Sequence, residues 1–198
     1  MEAVRVITGR AVPLVRSDVD TDQIIPSDWL KRVERTGFGA GLFSEWRDSS
    51  DFVLNQEQFE GAQILVSGPN FGCGSSREHA VWALCDYGMR AVIAPSFGDI
   101  FYTNALKNGL LPIRLPVAAV QSLLDAAAAQ PGARVIVDLE AQTVTSPGSA
   151  THPFDIDPRS RECLLKGIDE IDYTLTQIDA IRAFENRNRG QAPIKDSR

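Results

Sequence analysis

The stretch Gly68-Pro69-Asn70-Phe71-Gly72-Cys73-Gly74-Ser75-Ser76-Arg77-Glu78-His79-Ala80 decides how this chain is read. An apolar run, Ile64 to Ser67, leads into it, and a helix-periodic run, Ser76 to Tyr87, leads out. Strand, glycine-rich turn and helix is the arrangement in which open α/β sheets place ligands. Gly72 and Gly74 allow the backbone to approach a bound molecule. The helix N-terminus offers free N–H groups and the positive end of the helix dipole. Arg77 falls in the first turn of this predicted helix, where the dipole favours acids. A cation placed against the dipole points to a bound anion, and a guanidinium fork matches a carboxylate.

Several anion-binding patterns fail at this turn. No Lys-Ser/Thr follows the glycines, as a P-loop requires, and Arg77 stands where a dinucleotide fingerprint has its third glycine. There is no G-x-S-x-G nucleophile elbow. What remains is a carboxylate site with adjacent hydroxyls, Ser75 and Ser76. Ser75-x-x-Glu78 also has the spacing of a capping box, so Ser75 has two open roles, helix cap or chemical group. Cys73 reads as a small buried residue rather than a nucleophile, since Arg77 is the one basic group near it in sequence. His79 reads as a packed histidine.

Outward from this turn the pattern alternates. Val4 to Val15 reads as one or two strands, and Asp18 to Pro26 as an acidic turn with a short apolar run. Residues 27–58 carry glycines and aromatics without a sustained period and read as a long, partly ordered, mobile loop. Beyond the central turn come a strand at Ala91 to Ala94, a helix at Asp99 to Asn108 ended by Gly109, and a strand at Leu110 to Leu115. A helix at Val117 to Ala129 follows, then a hairpin of Ala133 to Glu140 and Gln142 to Thr145. Pro158 opens a helix that Gly167 closes. A last helix is expected at Thr176 to Asn186, and residues 188–198 form a polar tail expected to be disordered. The whole is an α/β fold with a mixed sheet and flanking helices, a single domain over 1–187.

Composition narrows the function. Twenty basic against 26 acidic residues give a net charge of −6, which argues against nucleic acid as the main partner. No apolar run approaches the ~18 residues of a membrane span, and no secretion signal is evident, so a cytoplasmic location is expected. Cys73, Cys85 and Cys163 have neither disulfide-framework nor metal spacing; eleven residues separate the first two. With only two histidines as well, no metal site is expected in this chain.

The same turn, with Asp18 to Pro26 (DVDTDQIIP), Thr36 to Arg47 (TGFGAGLFSEWR), Ser96 to Pro112 and Phe154 to Leu175, resembles the bacterial 3-isopropylmalate dehydratase small-subunit family of the aconitase superfamily. The likeness covers nearly the whole chain. It implies a swivelling β/β/α domain, equivalent to the last domain of aconitase but made as a separate chain. It implies a large partner subunit that carries a [4Fe–4S] cluster, with no cofactor bound by this chain. The implied reaction interconverts 2- and 3-isopropylmalate through isopropylmaleate, in leucine biosynthesis. Ser75, as alkoxide, is then the base for the carbon-bound proton. Arg77 holds a substrate carboxylate with Ser76 beside it, and the partner's open iron is the Lewis acid for the departing hydroxyl. Asp22 matches an acidic motif near the aconitase site; its alternative is a turn-forming aspartate. In the loop that follows, Leu30 and Val33 suit an isopropyl group, whereas Lys31 or Arg32 suits a third carboxylate. The alternatives are a homoaconitase or citraconate hydratase subunit, or a non-catalytic carboxylate- or RNA-binding module; the acidic balance speaks against RNA.

Overall fold

The computed structural model describes residues 1–31, 36–75, 77–148 and 150–188, with only the backbone of residues 30 and 31. The chain opens with β1 (Val6–Leu14) and two single-turn helices, α1 (Thr21–Ile24) and α2 (Ser44–Arg47). Then strands and helices alternate: β2 (Ile64–Ser67), α3 (Glu78–Tyr87), β3 (Ala91–Ala94), α4 (Asp99–Lys107), β4 (Leu111–Arg114) and α5 (Val117–Ala129). Three strands follow, β5 (Arg134–Asp138), β6 (Thr143–Thr145) and β7 (Thr151–Pro153). The last elements are α6 (Pro158–Lys166), α7 (Glu170–Thr176) and α8 (Ile178–Asn188).

The strands form one mixed sheet in the order β4-β3-β2-β1-β5-β6-β7. β1 serves both halves. Val6 to Arg10 pair antiparallel with β5, and Ala11 to Leu14 pair parallel with β2. Burial along β1 alternates through its first part and becomes continuous in its last four residues. That is the expected change from a sheet with one wet face to one covered on both faces. β2 and β3 are buried at every residue. Their pleat sends Leu65, Val92 and Ala94 toward the core shared with α3 and α4, and Ile64, Val66, Ala91 and Ile93 toward the core shared with α5.

α5 buries Ala119, Val120, Leu123, Leu124 and Ala127, one stripe of a 3.6-residue period. Each fully buried leucine or valine contributes about 1.5–3 kcal/mol. α6 begins as its sequence predicts: Asp157 accepts a hydrogen bond from the Ser160 amide at 2.8 Å, Pro158 takes the first turn, and Gly167 closes the helix in the left-handed region.

Four sequence expectations change. α3 begins at Glu78, not Ser76; its N-cap is Arg77, with no side-chain capping bond. Among the described residues, 27–58 contain α2 and 3-10 turns at Ser27–Lys31, Phe38–Gly41, Val53–Asn55 and Glu57–Phe59, short elements that the sequence reading did not place. Phe38, Leu42 and Phe43 in this segment are fully buried, and the Phe38 amide donates to Asp86 of α3 at 3.0 Å. Short 3-10 turns stack too few residues to leave a hydrophobic period, so the pattern did not show them. The helix expected at Thr176 to Asn186 is α8, but a separate helix, α7, precedes it, capped by Asp169 accepting from the Asp172 amide. Asn188 ends α8 rather than opening the tail, whose residues 189–198 lie outside those described. Among the described residues no helix is long and apolar enough to cross a membrane.

Candidate active site

The glycine-rich turn leaves the C-terminal end of β2 and is laced to the segment after β1. The Gly68 amide donates to the Arg16 carbonyl at 2.9 Å, and the Asp18 amide to the Pro69 carbonyl at 2.9 Å. Gly72 donates to the Val19 carbonyl at 2.7 Å, and Asp20 and Cys73 form an isolated parallel bridge. Two positions require glycine-like freedom. Gly72 has φ +72°, and a Cβ there would lie 2.2 Å from the Phe101 ring; Gly74 has φ +87°.

The capping box of this region lies in the acidic motif. Asp20 accepts from the Gln23 amide at 2.8 Å while the Gln23 side chain accepts from the Asp20 amide at 3.0 Å, which starts α1. That arrangement aims Thr21 and Asp22 at the turn. The Thr21 amide donates to the Cys73 carbonyl at 3.0 Å, and the Thr21 hydroxyl to the Ser75 carbonyl at 3.1 Å. Asp22 accepts from Nη1 of Arg77 in an ion pair. The sequence analysis singled out Asp22 and Arg77 separately; the fold joins them.

Ser75 does not cap α3. With the helix beginning at Glu78, Glu78 occupies the first helical position rather than the third, so the box Ser75-x-x-Glu78 is out of register. The Ser75 carbonyl instead accepts from the Arg77 amide at 2.8 Å. Ser75 and Gly74 are exposed, and Arg77 is half-buried. The site is therefore an open face at the C-terminal end of the parallel strands. Ser76 and Arg32 lie outside the described residues, as do the side chains of Leu30 and Lys31, whose backbone belongs to the turn Ser27–Lys31.

His79 packs its ring against Trp82 at 4.7 Å and Phe38 at 5.4 Å between centroids, the packed role expected for it. Burial, and then the carboxylates of Asp20 and Asp18, push the Cys73 thiol up. Burial first, then Asp86, pushes Cys85 up to about 11. Burial likewise raises Cys163. Thiols shifted upward in this way are weaker nucleophiles than an ordinary cysteine. No group of three or more His, Cys, Asp or Glu among the described residues could hold a metal. These residues do not fit an iron–sulfur cluster.

The sequence analysis missed Thr21 and gave Asp20 as a turn residue. The signal was present as Asp20-x-x-Gln23, the box spacing with aspartate in the cap.

A seven-stranded mixed sheet carrying its site on a turn after a parallel strand defines the class: a swivelling domain of the aconitase type. The family model described as the aconitase C-terminal domain matches residues 1–118, and a second, described as LeuD_N, matches residues 121–158. The 3-isopropylmalate dehydratase small subunit of Frankia alni is 58% identical over 185 residues, 93% of this chain and 94% of that one. That of Rubrobacter xylanophilus is 57% identical over the same shares. The crystal structure of 3-isopropylmalate dehydratase from Methanocaldococcus jannaschii superposes with a TM-score of 0.67 at 29% identity, covering 91% of this chain and 99% of that one. The chain belongs to the 3-isopropylmalate dehydratase small-subunit family.

Proposed function

We propose that this chain is the small subunit of a 3-isopropylmalate dehydratase, which with a large subunit interconverts 2- and 3-isopropylmalate through isopropylmaleate in the cytoplasmic synthesis of leucine. The observation that carries the reading is the placement of exposed Ser75 beside half-buried Arg77 on an open face at the strand ends. A serine that acts as base needs water kept away and a fixed polar environment. This chain leaves Ser75 facing solvent, so a second surface completes the site.

Ser75, as alkoxide, takes the carbon-bound proton, and the hydroxyl leaves the neighbouring carbon as hydroxide. In the return step hydroxide adds at the carbon that lost the proton, and the serine gives its proton to the carbon that lost the hydroxyl. Positive charge on Arg77 and the N-terminal end of α3 favour the alkoxide. Arg77 binds a substrate carboxylate with Ser76 beside it, and Asp22 borders that subsite. Residues 27–58 are the substrate-recognition segment of this reading, with Leu30 and Val33 as candidates for the isopropyl group and Lys31 or Arg32 as candidates for a third carboxylate. The [4Fe–4S] cluster belongs to the partner.

The test is to purify the chain alone and with its large subunit, and to assay 2-isopropylmalate, homoaconitate and citraconate. The expected result is a colourless, inactive chain, and conversion of 2-isopropylmalate by the pair alone. Preferential conversion of either other acid would move the chain to another hydro-lyase, and visible absorbance tracking iron in the isolated chain would overturn the division of labour.

A further inference from the structure

We infer that Thr21 is a positioning residue for Ser75, acting through the hydrogen bond from its hydroxyl to the Ser75 carbonyl; this rests on the reading of Ser75 as the base. Thr21 is 1% exposed, one of three buried polar residues in the described chain, with Ser67 and Ser146. A buried hydroxyl is kept where its bond is needed, and the Thr21 hydroxyl spends its bond on the Ser75 main chain at 3.1 Å.

Ser75 needs such an anchor. The strand-like contact between the two segments ends at the Asp20–Cys73 bridge. The next residue, Gly74, has φ +87° and no side chain to restrict it. Ser75 precedes α3 without capping it. The described hydrogen bonds to its main chain both end on its carbonyl, one from Thr21 and one from the Arg77 amide at 2.8 Å. The Arg77 bond is local and moves with the segment. The Thr21 bond ties the segment to α1, which its own capping box and the Ile25 amide on the Thr21 carbonyl at 3.0 Å hold in place. A reacting group displaced by 1 Å loses about 10²-fold in rate, so this one bond has a catalytic consequence. Asp22, one residue on, holds Arg77; base and carboxylate anchor are thus set by adjacent residues through separate bonds.

In the two-subunit enzyme, Thr21→Val is expected to lower kcat about 10- to 100-fold. KM for isopropylmalate should stay within about twofold, because Arg77 keeps its own anchor. Thr21→Ser, which restores the hydroxyl, is expected to recover most of kcat. In a Ser75→Ala background Thr21→Val is expected to add no loss; an additive loss overturns the proposal. An unchanged kcat in Thr21→Val, or one that serine fails to rescue, also overturns it. If Thr21→Val does not assemble with the large subunit, the comparison passes to Thr21→Ser and Thr21→Ala. The serine variant must then turn over about tenfold faster than the alanine variant; equal rates overturn the inference. A readout independent of substrate is hydrogen exchange in the isolated chain. The Arg77 amide, which shares the Ser75 carbonyl, should exchange about tenfold faster in Thr21→Val than in Thr21→Ser. Equal protection sinks the inference even if the substrate reading fails, whereas an inactive wild-type pair defeats the substrate reading alone.

Discussion

Arg77 and Asp22, 55 residues apart in sequence, form an ion pair through one guanidinium nitrogen and one carboxylate oxygen. Their side chains are 23% and 58% exposed, so solvent screens the pair and it adds at most about 1 kcal/mol to stability. Its consequence is geometric. One edge of the guanidinium is held, and among the described residues its other donors have no recorded partner in this chain. Arg77→Lys keeps the charge and loses the fork. It is expected to raise KM for isopropylmalate about 10- to 100-fold, the equivalent of one charge-assisted hydrogen bond. Steady-state kinetics of the assembled enzyme check this; a wild-type KM would remove Arg77 from substrate binding.

Ser75→Ala separates chemistry from folding, because Ser75 caps no helix. A lost N-cap costs about 1 kcal/mol; here the cost in denaturant melts is expected to stay within about 0.5 kcal/mol, as for an exposed side chain. Turnover with the large subunit is expected to fall about 10²–10⁴-fold. A variant retaining more than about a tenth of wild-type activity lies well outside that range and would end the assignment of Ser75 as base.

Gly72 and Gly74 both have positive φ, but they should not respond alike to alanine. At Gly74 the added Cβ meets nothing nearer than Asp20 at 3.5 Å, so the cost is backbone strain of about 1–2 kcal/mol. At Gly72 it meets the Phe101 ring at 2.2 Å, and overpacking of about 1–3 kcal/mol adds to that strain. Urea melts of the two variants should therefore place Gly72→Ala clearly below Gly74→Ala. The reverse order would contradict the packing of Phe101 against the turn.

The α6 cap carries a pH signature. Amide and hydroxyl hydrogen bonds from Ser160 hold the Asp157 carboxyl below its ordinary range. A lowered folded-state pKa means the stabilisation is present above the unfolded value of about 3.8 and is lost as pH falls through the folded value. Asp157→Ala is expected to cost about 1 kcal/mol at pH 7, with the gap to wild type closing as the pH falls below 3.8. Melting curves across pH 2–7 (a range chosen to span about two units either side of an ordinary carboxylate) read this directly. A gap independent of pH would show that the carboxylate is not the capping group.

The alternation from β2 to α5 was legible because strands buried on both faces leave continuous apolar runs, and Val117–Ala129 falls where its alanine-rich helix propensity placed it. Pro158 and Gly167 likewise marked both ends of α6 through their own backbone preferences. Residues 27–58 were not legible, since Phe38, Leu42 and Phe43 are buried by α1 and α3 contacts rather than by a period of their own.

By itself the sequence determined the α/β class, the strand–turn–helix that carries Ser75 and Arg77, and the caps and stops that depend on one residue's φ or side chain. Those are short-range preferences, written in neighbouring residues. Only the tertiary structure decided where α3 starts, that Ser75 is not its cap, and that Asp22 meets Arg77 while Thr21 meets Ser75. The physical reason is parallel pairing of β1 with β2, which lays the segment after one strand against the segment after the other. Hydrogen bonds made across that junction then outcompete the local box at Ser75, and no spacing within either segment encodes them.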